Sequence, residues 1–502
     1  MADSEKHSIE QVERASTLKE AEQVTQSSEP VIDPVAERKF VRKLDWILLP
    51  LFIVIYGLNY IDRTAIGNAK VAGLEKDLGM EGTDLNKALT IFYVFYVLAD
   101  IPSNLLLKRF GSKLIVVLVL GFGLVSLAST FITNYTGLIV TRIFLGIFEG
   151  GTLSGLIYVM SRYYRRRELV LRIGLFNGIA PALSGAFGGL IASALLRIGD
   201  FGYVKRWRKI FLIEGALTVA FGILLYFIMP DDPTTAKMLS EEERRLAMAR
   251  IDADAVVKSH GQKEKTSWKL VGHSFNVVTI ACIICFITFN MSFQGMSLFL
   301  PTVINTQGNY STVEVQLRTV PPFLAGAVWV SLNSYFSYKI RMRSVPLISS
   351  VSIVVVGYIV SITTQDPKAR YAACHLIVTG GCVAGPMIIA WATDNAAPDT
   401  MRATVSAAVC GIGALGSVIA MWTYLPGDAP DYRVGNSIVL GAVTCTLLVA
   451  IFLAFYVRWE NGKRDRGGRD YRLDGMADDT TEKGRVALEE MGYKHPKFRY
   501  QI

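Results

Sequence analysis

Long apolar segments recur through most of this chain, and they constrain its fold more than any other feature. Each covers roughly 17–25 residues, the length that an α-helix needs to cross a bilayer. In lipid, backbone polar groups must be hydrogen-bonded within the protein, so spanning helices are the expected form. We predict twelve spans, which are 46–65, 88–107, 114–133, 138–160, 172–195, 210–229, 277–299, 319–338, 345–363, 371–392, 403–424 and 437–457.

A polar stretch at 230–276 divides the predicted spans into two groups of six. It is too polar to cross a membrane, although Ser240 can cap a short helix over the acidic residues that follow it. We therefore predict an all-α membrane protein with twelve transmembrane helices in two six-helix bundles. The predicted regions are a polar N-terminal tail 1–44, an N-terminal bundle 45–229, a linker 230–276, a C-terminal bundle 277–457 and a C-terminal tail 458–502.

Basic residues cluster on one predicted side of the membrane, in stretches such as 38–43, 162–172 and 339–343. Cytoplasmic loops carry an excess of Lys and Arg, so both tails and the linker are predicted to be cytoplasmic. The loop 197–209 disagrees, because it is basic and yet falls on the predicted outer side.

The composition argues against several functions. Charged residues make up 19% of the chain, against about 25% in soluble proteins, which disfavours a soluble enzyme or a nucleic-acid binder. No GxxxxGK[ST] motif is present for ATP hydrolysis. The five His residues form no cluster, and the six Cys residues lie in apolar segments. We expect no metal, no cofactor and no nucleic-acid partner, and we expect the lipid bilayer as the surroundings.

Four ionisable residues fall inside predicted spans, namely Asp62, Arg63, Arg142 and Glu149. Each is costly in lipid unless it is paired or hydrated, so each is a candidate site residue. Arg142 and Glu149 are seven residues apart on one helix face, with Gly146 between them giving room for close packing. Facing one cavity, an Arg could grip an anion while a carboxylate carries a proton. Anion binding at the Arg would favour proton uptake by the carboxylate.

Structural interpretations stay open for the same residues. Asp62 and Arg142 could form a fixed salt bridge between helices, and Arg63 could extend to the membrane interface.

Further polar residues are weaker candidates. Asn290 and Gln294 share a helix face and either recognise substrate or hydrogen-bond between helices. Glu214 is expected to be structural, with Arg206 or Arg208 as its partner, and Asp100 is expected to be a gating or packing residue near Lys108 and Arg109. The remaining substrate-binding candidates are Asn59, Trp391 and Asn395.

Seven motifs occur in a characteristic order. They are "LNYIDRTAIGNAKVAGL" (58–74), "ADIPSNLLLKRFGSK" (99–113), "RIFLGIFEGG" (142–151), "RWRKIFLIEG" (206–215), "FLPTVIN" (299–305), "RTVPPFLAG" (318–326) and "GDAPDYRVGN" (427–436). Together they resemble the major facilitator superfamily, and within it the anion:cation symporter branch and its fungal allantoate-permease-like group.

The resemblance implies two bundles around a central cavity that opens to each side in turn. It also implies substrate-binding roles for Arg63 and Arg142 and proton-coupling roles for Asp62 and Glu149. The chain departs from the family pattern at Ala414, where an Asn is usual, and Asp100 stands where Glu is frequent. The change at Ala414 removes a polar group that could face the cavity, so the substrate can differ from that of better-known members.

The leading hypothesis is a secondary active transporter, not an enzyme, that couples proton entry to uptake of a small organic anion (a vitamin, ureide or other carboxylate). The proton gradient would be its energy source, and we expect a monomer in the plasma membrane. The alternatives are an exporter of a biosynthetic metabolite and a nutrient sensor that binds without transport.

Overall fold

The computed structural model describes residues 33–472, except 200, 201, 203, 205, 231, 255–267 and 397–398, together with 491–496 and 498–502. The helices in these ranges are α1 (Pro34–Val71), α2 (Leu74–Asp77), α3 (Asp84–Phe110), α4 (Lys113–Ala128), α5 (Tyr135–Gly150), α6 (Thr152–Ser161), α7 (Arg166–Arg197), α8 (Arg208–Ile228), α9 (Glu241–Asp254), α10 (Trp268–His273), α11 (Val277–Asn305), α12 (Thr312–Ile340), α13 (Ser344–Thr363), α14 (Pro367–Asp394), α15 (Asp399–Gly413), α16 (Leu415–Ala420) and α17 (Arg433–Asp465).

The all-α membrane fold predicted from the sequence is confirmed. Each of the twelve predicted segments is helical over most of its length, and nine helical stretches of the described chain are long and apolar enough to cross a membrane. Two spans are interrupted: α5 and α6 meet at Gly151, and α15 and α16 meet at Ala414. The predicted linker contains α9, where Ser240 Oγ accepts a hydrogen bond from the backbone N–H of Glu243.

The helices pack as two bundles. In the first bundle α1 lies on α7, α3 on α5 and α4 on α8, and in the second bundle α11 lies on α17 and α13 on α14. The bundles meet where α12 and α14 pack against α7 and where α11 packs against α1.

The first helix begins well before the predicted span at 46–65. Pro34 occupies its first turn, and the Asp33 carboxylate accepts hydrogen bonds from the backbone N–H groups of Val35 and Ala36. Phe40 and Leu44 are buried, at 3% and 0% exposure. This extension is amphipathic and packs on protein, so hydropathy alone places it in the polar tail.

Ion pairs attach the linker helix α9 to the first bundle. Arg250, on α9, donates to Glu37 at 2.8 Å and to Glu168 at 2.7 Å, and Lys43 lies 2.6 Å from Glu243. Burial opposes ionisation of Glu243, but hydrogen bonds from Lys43 and the Ser240 backbone outweigh it and lower the pKa of Glu243.

Residues 491–496 and 498–502, here called the C-terminal segment, fold back onto the second bundle. Gln501 exchanges two backbone hydrogen bonds with the Asn395 side chain, at 2.7 and 3.1 Å, and accepts a third from Trp391 Nε1 at 3.0 Å. The carbonyl of Ile502 accepts from the backbone N–H of Arg343 at 2.6 Å. We call the side of the molecule that carries the start of α1, α9 and this segment the terminal side, and the other the opposite side.

The basic loop that disagreed with the predicted orientation lies on the opposite side and is held by protein contacts. Arg208 donates to the carbonyl of Ile132 at 3.0 Å, and Lys209 donates to that of Ile198 at 2.6 Å. These two charges of the loop are therefore engaged by the protein itself.

Candidate functional site

A cavity of about 720 Å³ lies between the two bundles. It extends from Arg63, in the last third of α1, to Arg165, Asp394 and Arg402 at helix ends on the terminal side. Both bundles therefore contribute to a single chamber that reaches one side of the molecule.

At the inner end of the cavity, and beyond it on the opposite side, hydrogen bonds join the bundles. Tyr60 donates to Ser297 Oγ at 2.9 Å, and Trp422 donates to Thr90 Oγ1 at 3.0 Å. Here α1 and α11 approach so closely that a Cβ at Gly67 would overlap the carbonyl of Leu298. The described residues thus close the opposite side while the cavity extends to the terminal side.

A buried ion pair forms the inner end of the cavity. Arg63 Nη2 lies 3.1 Å and Arg63 Nε 3.2 Å from the same oxygen of Glu149, Oε2, and Nη2 also donates to Asn59 Oδ1 at 3.2 Å. Arg63 and Glu149 are only 4% and 0% exposed, and Arg63 lines the cavity. The second oxygen of Glu149, Oε1, accepts no hydrogen bond. The pair is therefore positioned so that a ligand in the cavity can reach its cation.

Aromatic rings surround the Arg63 guanidinium. Its Cζ lies 4.7 Å from the ring centroid of Tyr96, 5.6 Å from Phe92, 5.8 Å from Tyr60 and 5.9 Å from Tyr93. Ring faces attract a cation at such distances, and more strongly where water is excluded. These rings stabilise the charge without neutralising it.

The structure places Asp62 in a different environment from Arg63. Its carboxylate accepts hydrogen bonds from Ser126 at 2.8 Å and from Thr218 at 3.3 Å, inside the first bundle. Successive residues of an α-helix point about 100° apart, and here Arg63 lines the cavity whereas Asp62 points into the first bundle. The four charges therefore do not share one chamber, in contrast to the expectation from the sequence.

Arg142 and Glu214 also lie inside the first bundle. Arg142 is 2% exposed and lies over the ring of Phe211, 5.7 Å from its centroid, while its Nε finds no acceptor. Both oxygens of Glu214 are buried without a hydrogen bond. The expected pairing of Glu214 with Arg206 or Arg208 is wrong, because neither Glu214 oxygen accepts a hydrogen bond. Arg208 lies 3.6 Å from Asp77 and donates to a loop carbonyl instead.

The second bundle contributes amides to the cavity wall. Asn290 and Gln294 both line the cavity, and each also hydrogen-bonds between helices. Asn290 donates to the carbonyl of Gly413 at 3.1 Å, and Gln294 Oε1 accepts from Tyr93 at 3.1 Å. Ala414, beside the helix break, lines the cavity as well. The two interpretations left open by the sequence are thus compatible, since one amide can do both.

Trp391 and Asn395 were expected to bind substrate, but they do not line the cavity. Both are 1% exposed, and both hydrogen-bond the backbone of Gln501 in the C-terminal segment. Their neighbour Asp394 lines the cavity instead, and it is held by Arg343 at 3.0 Å.

The residues that were expected to form a gate lie in different environments. Asp100 lines the cavity and accepts a hydrogen bond from Ser154 at 2.6 Å. The Arg109 side chain is exposed, with its Cζ 5.7 Å from the ring of Phe110. The Lys108 side chain lies outside the described residues.

The aromatic lining of the cavity is a feature that the sequence did not predict. On α3, Tyr93, Tyr96 and Asp100 all face it, at spacings of three and four residues. This stripe is visible in the sequence, but a helix that is apolar on both its outer face and its inner face gives no direct sign of which face meets the cavity.

Two bundles of helices enclosing a central cavity with a buried cation form an architecture that is common among membrane transporters. The chain belongs to the Major Facilitator Superfamily, whose family model matches residues 52–421. It is accordingly a transporter and not an enzyme.

Its relatives are fungal transporters. The MFS-type transporter efuF of Hormonema carpetanum is 32% identical, with 86% of this chain and 88% of that one covered. The major facilitator-type transporter hxnP of Emericella nidulans is 29% identical, with 93% and 94% covered. Among solved structures, the proton:xylose symporter XylE matches with a TM-score of 0.66 at 15% identity, over 82% of this chain and 95% of that one. This last similarity shows the shared fold.

Proposed function

We propose that the protein takes up a small organic anion together with protons, by alternating access, as a member of the anion:cation symporter branch and its allantoate-permease-like group. The observation that carries this proposal is the Arg63–Glu149 pair, with the Arg63 side chain in the cavity wall. The proton gradient supplies the energy, and the protein acts as a monomer.

Competition for Arg63 would couple the two fluxes. A substrate carboxylate that takes the guanidinium must displace Glu149, which then lies buried and unpaired. Leaving one member of a buried pair uncompensated costs about 3–5 kcal/mol, and protonation of Glu149 removes that cost. The site stays neutral overall, because the substrate charge replaces the carboxylate charge.

The basic helix ends on the terminal side support a cytoplasmic terminal side, and we place the protein in the plasma membrane as part of the proposal. The cavity would then face the cytoplasm, where substrate is released. Asp100, hydrogen-bonded to Ser154 in the cavity wall, would mark the exit gate. Asp62 would serve as a second proton site, and Arg142 would act on substrate through its electrostatic influence on Glu149 and Asp62.

Uptake into proteoliposomes tests the proposal. A panel of radiolabelled carboxylates is offered from outside, with the lumen at neutral pH and the outside either neutral or acidic. Acid outside should accelerate entry of at least one anion, and a protonophore should abolish the acceleration. Arg63→Ala should remove uptake, whereas Arg318→Ala, which deletes a guanidinium paired with Glu314 outside the cavity, should not. If an acidic outside accelerates no anion, proton-coupled uptake is wrong.

A further inference from the structure

The wall opposite Arg63 is also aromatic. Phe286, Phe289 and Phe293 of α11 line the cavity, so nine of its 36 lining residues are Phe or Tyr, whereas aromatic residues make up 11% of the chain. The rings of Phe289 and Phe293 lie nearly parallel, with centroids 6.1 Å apart and planes 15° apart. The cavity therefore offers flat, polarisable surfaces on both bundles.

The two aromatic walls meet near the cation. Tyr60, whose ring flanks Arg63, has its centroid 6.2 Å from that of Phe293 across the bundle boundary. A ligand carboxylate at Arg63 would thus carry the atoms attached to it into the space bordered by these rings. The Phe293 ring packs closely against Gly381, where an added Cβ would lie 3.1 Å from the ring, and both residues line the cavity.

The charges of the wall favour a single negative charge on the ligand. Arg63 is the cation at the inner end, whereas Arg165 and Arg402 lie at the terminal side. Between them the wall carries the Asp100 carboxylate, which would repel a second ligand anion. Asn290 and Gln294 add neutral hydrogen-bonding groups suited to a ring heteroatom or substituent.

We infer that the substrate is a planar aromatic monocarboxylate, whose carboxylate is bound by Arg63 and whose ring lies among Tyr60, Tyr96 and Phe293. This rests on the proposed function and narrows its substrate class. Ring contacts of this kind add about tenfold in affinity, equivalent to about 1.4 kcal/mol.

Two matched acids test the inference on the purified full chain. Benzoate and cyclohexanecarboxylate have the same charge and similar size, but only benzoate has an aromatic face. Thermal-shift titrations should give an apparent Kd about tenfold lower for benzoate. Phe293→Leu should bring the two affinities to within about twofold, because the aliphatic side chain fills the space without an aromatic face.

The control is Phe455→Leu, which alters a ring that is 66% exposed on α17 and outside the cavity; it should keep the tenfold preference. A monodisperse size-exclusion profile shows that each variant is folded. Equal binding of the two acids to the natural protein, or an unchanged preference in Phe293→Leu, overturns the aromatic inference but leaves anion transport standing. If neither acid binds, and no other carboxylate tried binds either, the proposed function is wrong as well.

Discussion

Arg63 keeps its charge inside an apolar bundle because its surroundings replace water. Glu149 and Asn59 accept its hydrogen bonds, and aromatic faces cover the rest of the guanidinium. Glu149 has a less complete environment, since Oε1 accepts no hydrogen bond. A buried carboxylate with a free oxygen gains more from protonation than one that is fully bonded. Among the individual residues, Glu149 is therefore the one on which proton coupling depends in our proposal.

Glu149→Gln gives the matching prediction. A neutral amide imitates the protonated acid, so Arg63 stays free for anions and binding in a thermal-shift assay should be retained. Uptake driven by an acidic outside should fall at least tenfold, because no proton can be released. Glu314→Gln, which changes a carboxylate with 45% side-chain exposure, serves as the control and should keep pH-driven uptake. Undiminished pH-driven uptake in Glu149→Gln would exclude Glu149 from the proton role.

The elements at the terminal end of the second bundle are joined by a compact charged cluster. Glu460, near the end of α17, accepts hydrogen bonds from Arg464 at 3.1 Å and from Arg469 at 2.7 Å. Arg464 also donates to backbone carbonyls of the C-terminal segment, including that of Phe498 at 2.8 Å. Loss of Glu460 would therefore loosen both the helix end and the segment that it helps to hold.

Stability of this cluster should depend on pH. Burial opposes ionisation of Glu460, but hydrogen bonds from Arg469 and Arg464 outweigh it and lower the pKa of Glu460 below its usual value of 4.5. A lowered pKa means that ionisation stabilises the folded state above pH 4.5, and that this contribution fades as the pH falls through the lowered pKa.

Glu460→Gln should therefore lower the melting temperature at pH 7, through a loss of about 1–3 kcal/mol. The difference in melting temperature between this variant and the natural protein should narrow as the pH falls below 4.5. Asp465→Asn is the control on the same helix, because its carboxylate is 63% exposed and should matter little. A melting-temperature difference that stays constant from pH 8 to pH 4 would contradict a stabilising role for ionised Glu460.

The sequence predicts elements here better than it predicts their contacts. Hydropathy locates the spanning helices because burial in lipid demands an apolar surface over a fixed length. It does not fix the rotation of α1, so it cannot decide whether Asp62 or Arg63 faces the cavity. Hydropathy also gives no sign that Trp391 and Asn395 bind the C-terminal segment. Both side chains contact backbone atoms of Gln501, and every residue has the same backbone atoms, so the sequence cannot mark this contact.

At the scale of the whole molecule, the proposed alternating access makes this structure one of two conformations. The bundles are joined at the inner end of the cavity by the Tyr60–Ser297 hydrogen bond. On the opposite side they are joined by the Trp422–Thr90 hydrogen bond and by the approach of α1 to α11 at Gly67. Transport by alternating access requires these contacts to break while the terminal side closes. Their strength therefore sets the balance between the two conformations.

Gly67→Ala should shift that balance. The added methyl group would overlap the Leu298 carbonyl, which is backbone and cannot turn aside. Overpacking of this kind costs about 1–3 kcal/mol, and only the conformation closed on the opposite side has this contact. The ratio of conformations should move about tenfold toward opening on the opposite side, since 1.4 kcal/mol is a factor of about ten.

Spin labels on the opposite side measure the shift. Lys87→Cys on α3 and Lys368→Cys on α14 place one exposed label in each bundle, in a background whose native Cys residues are replaced. Double electron–electron resonance should show a longer-distance population that grows in Gly67→Ala. Gly174→Ala is the matched control, because a Cβ there meets nothing within 4 Å, and its distances should match the natural protein. Identical distributions for both variants would mean that the α1–α11 contact does not hold the opposite side closed.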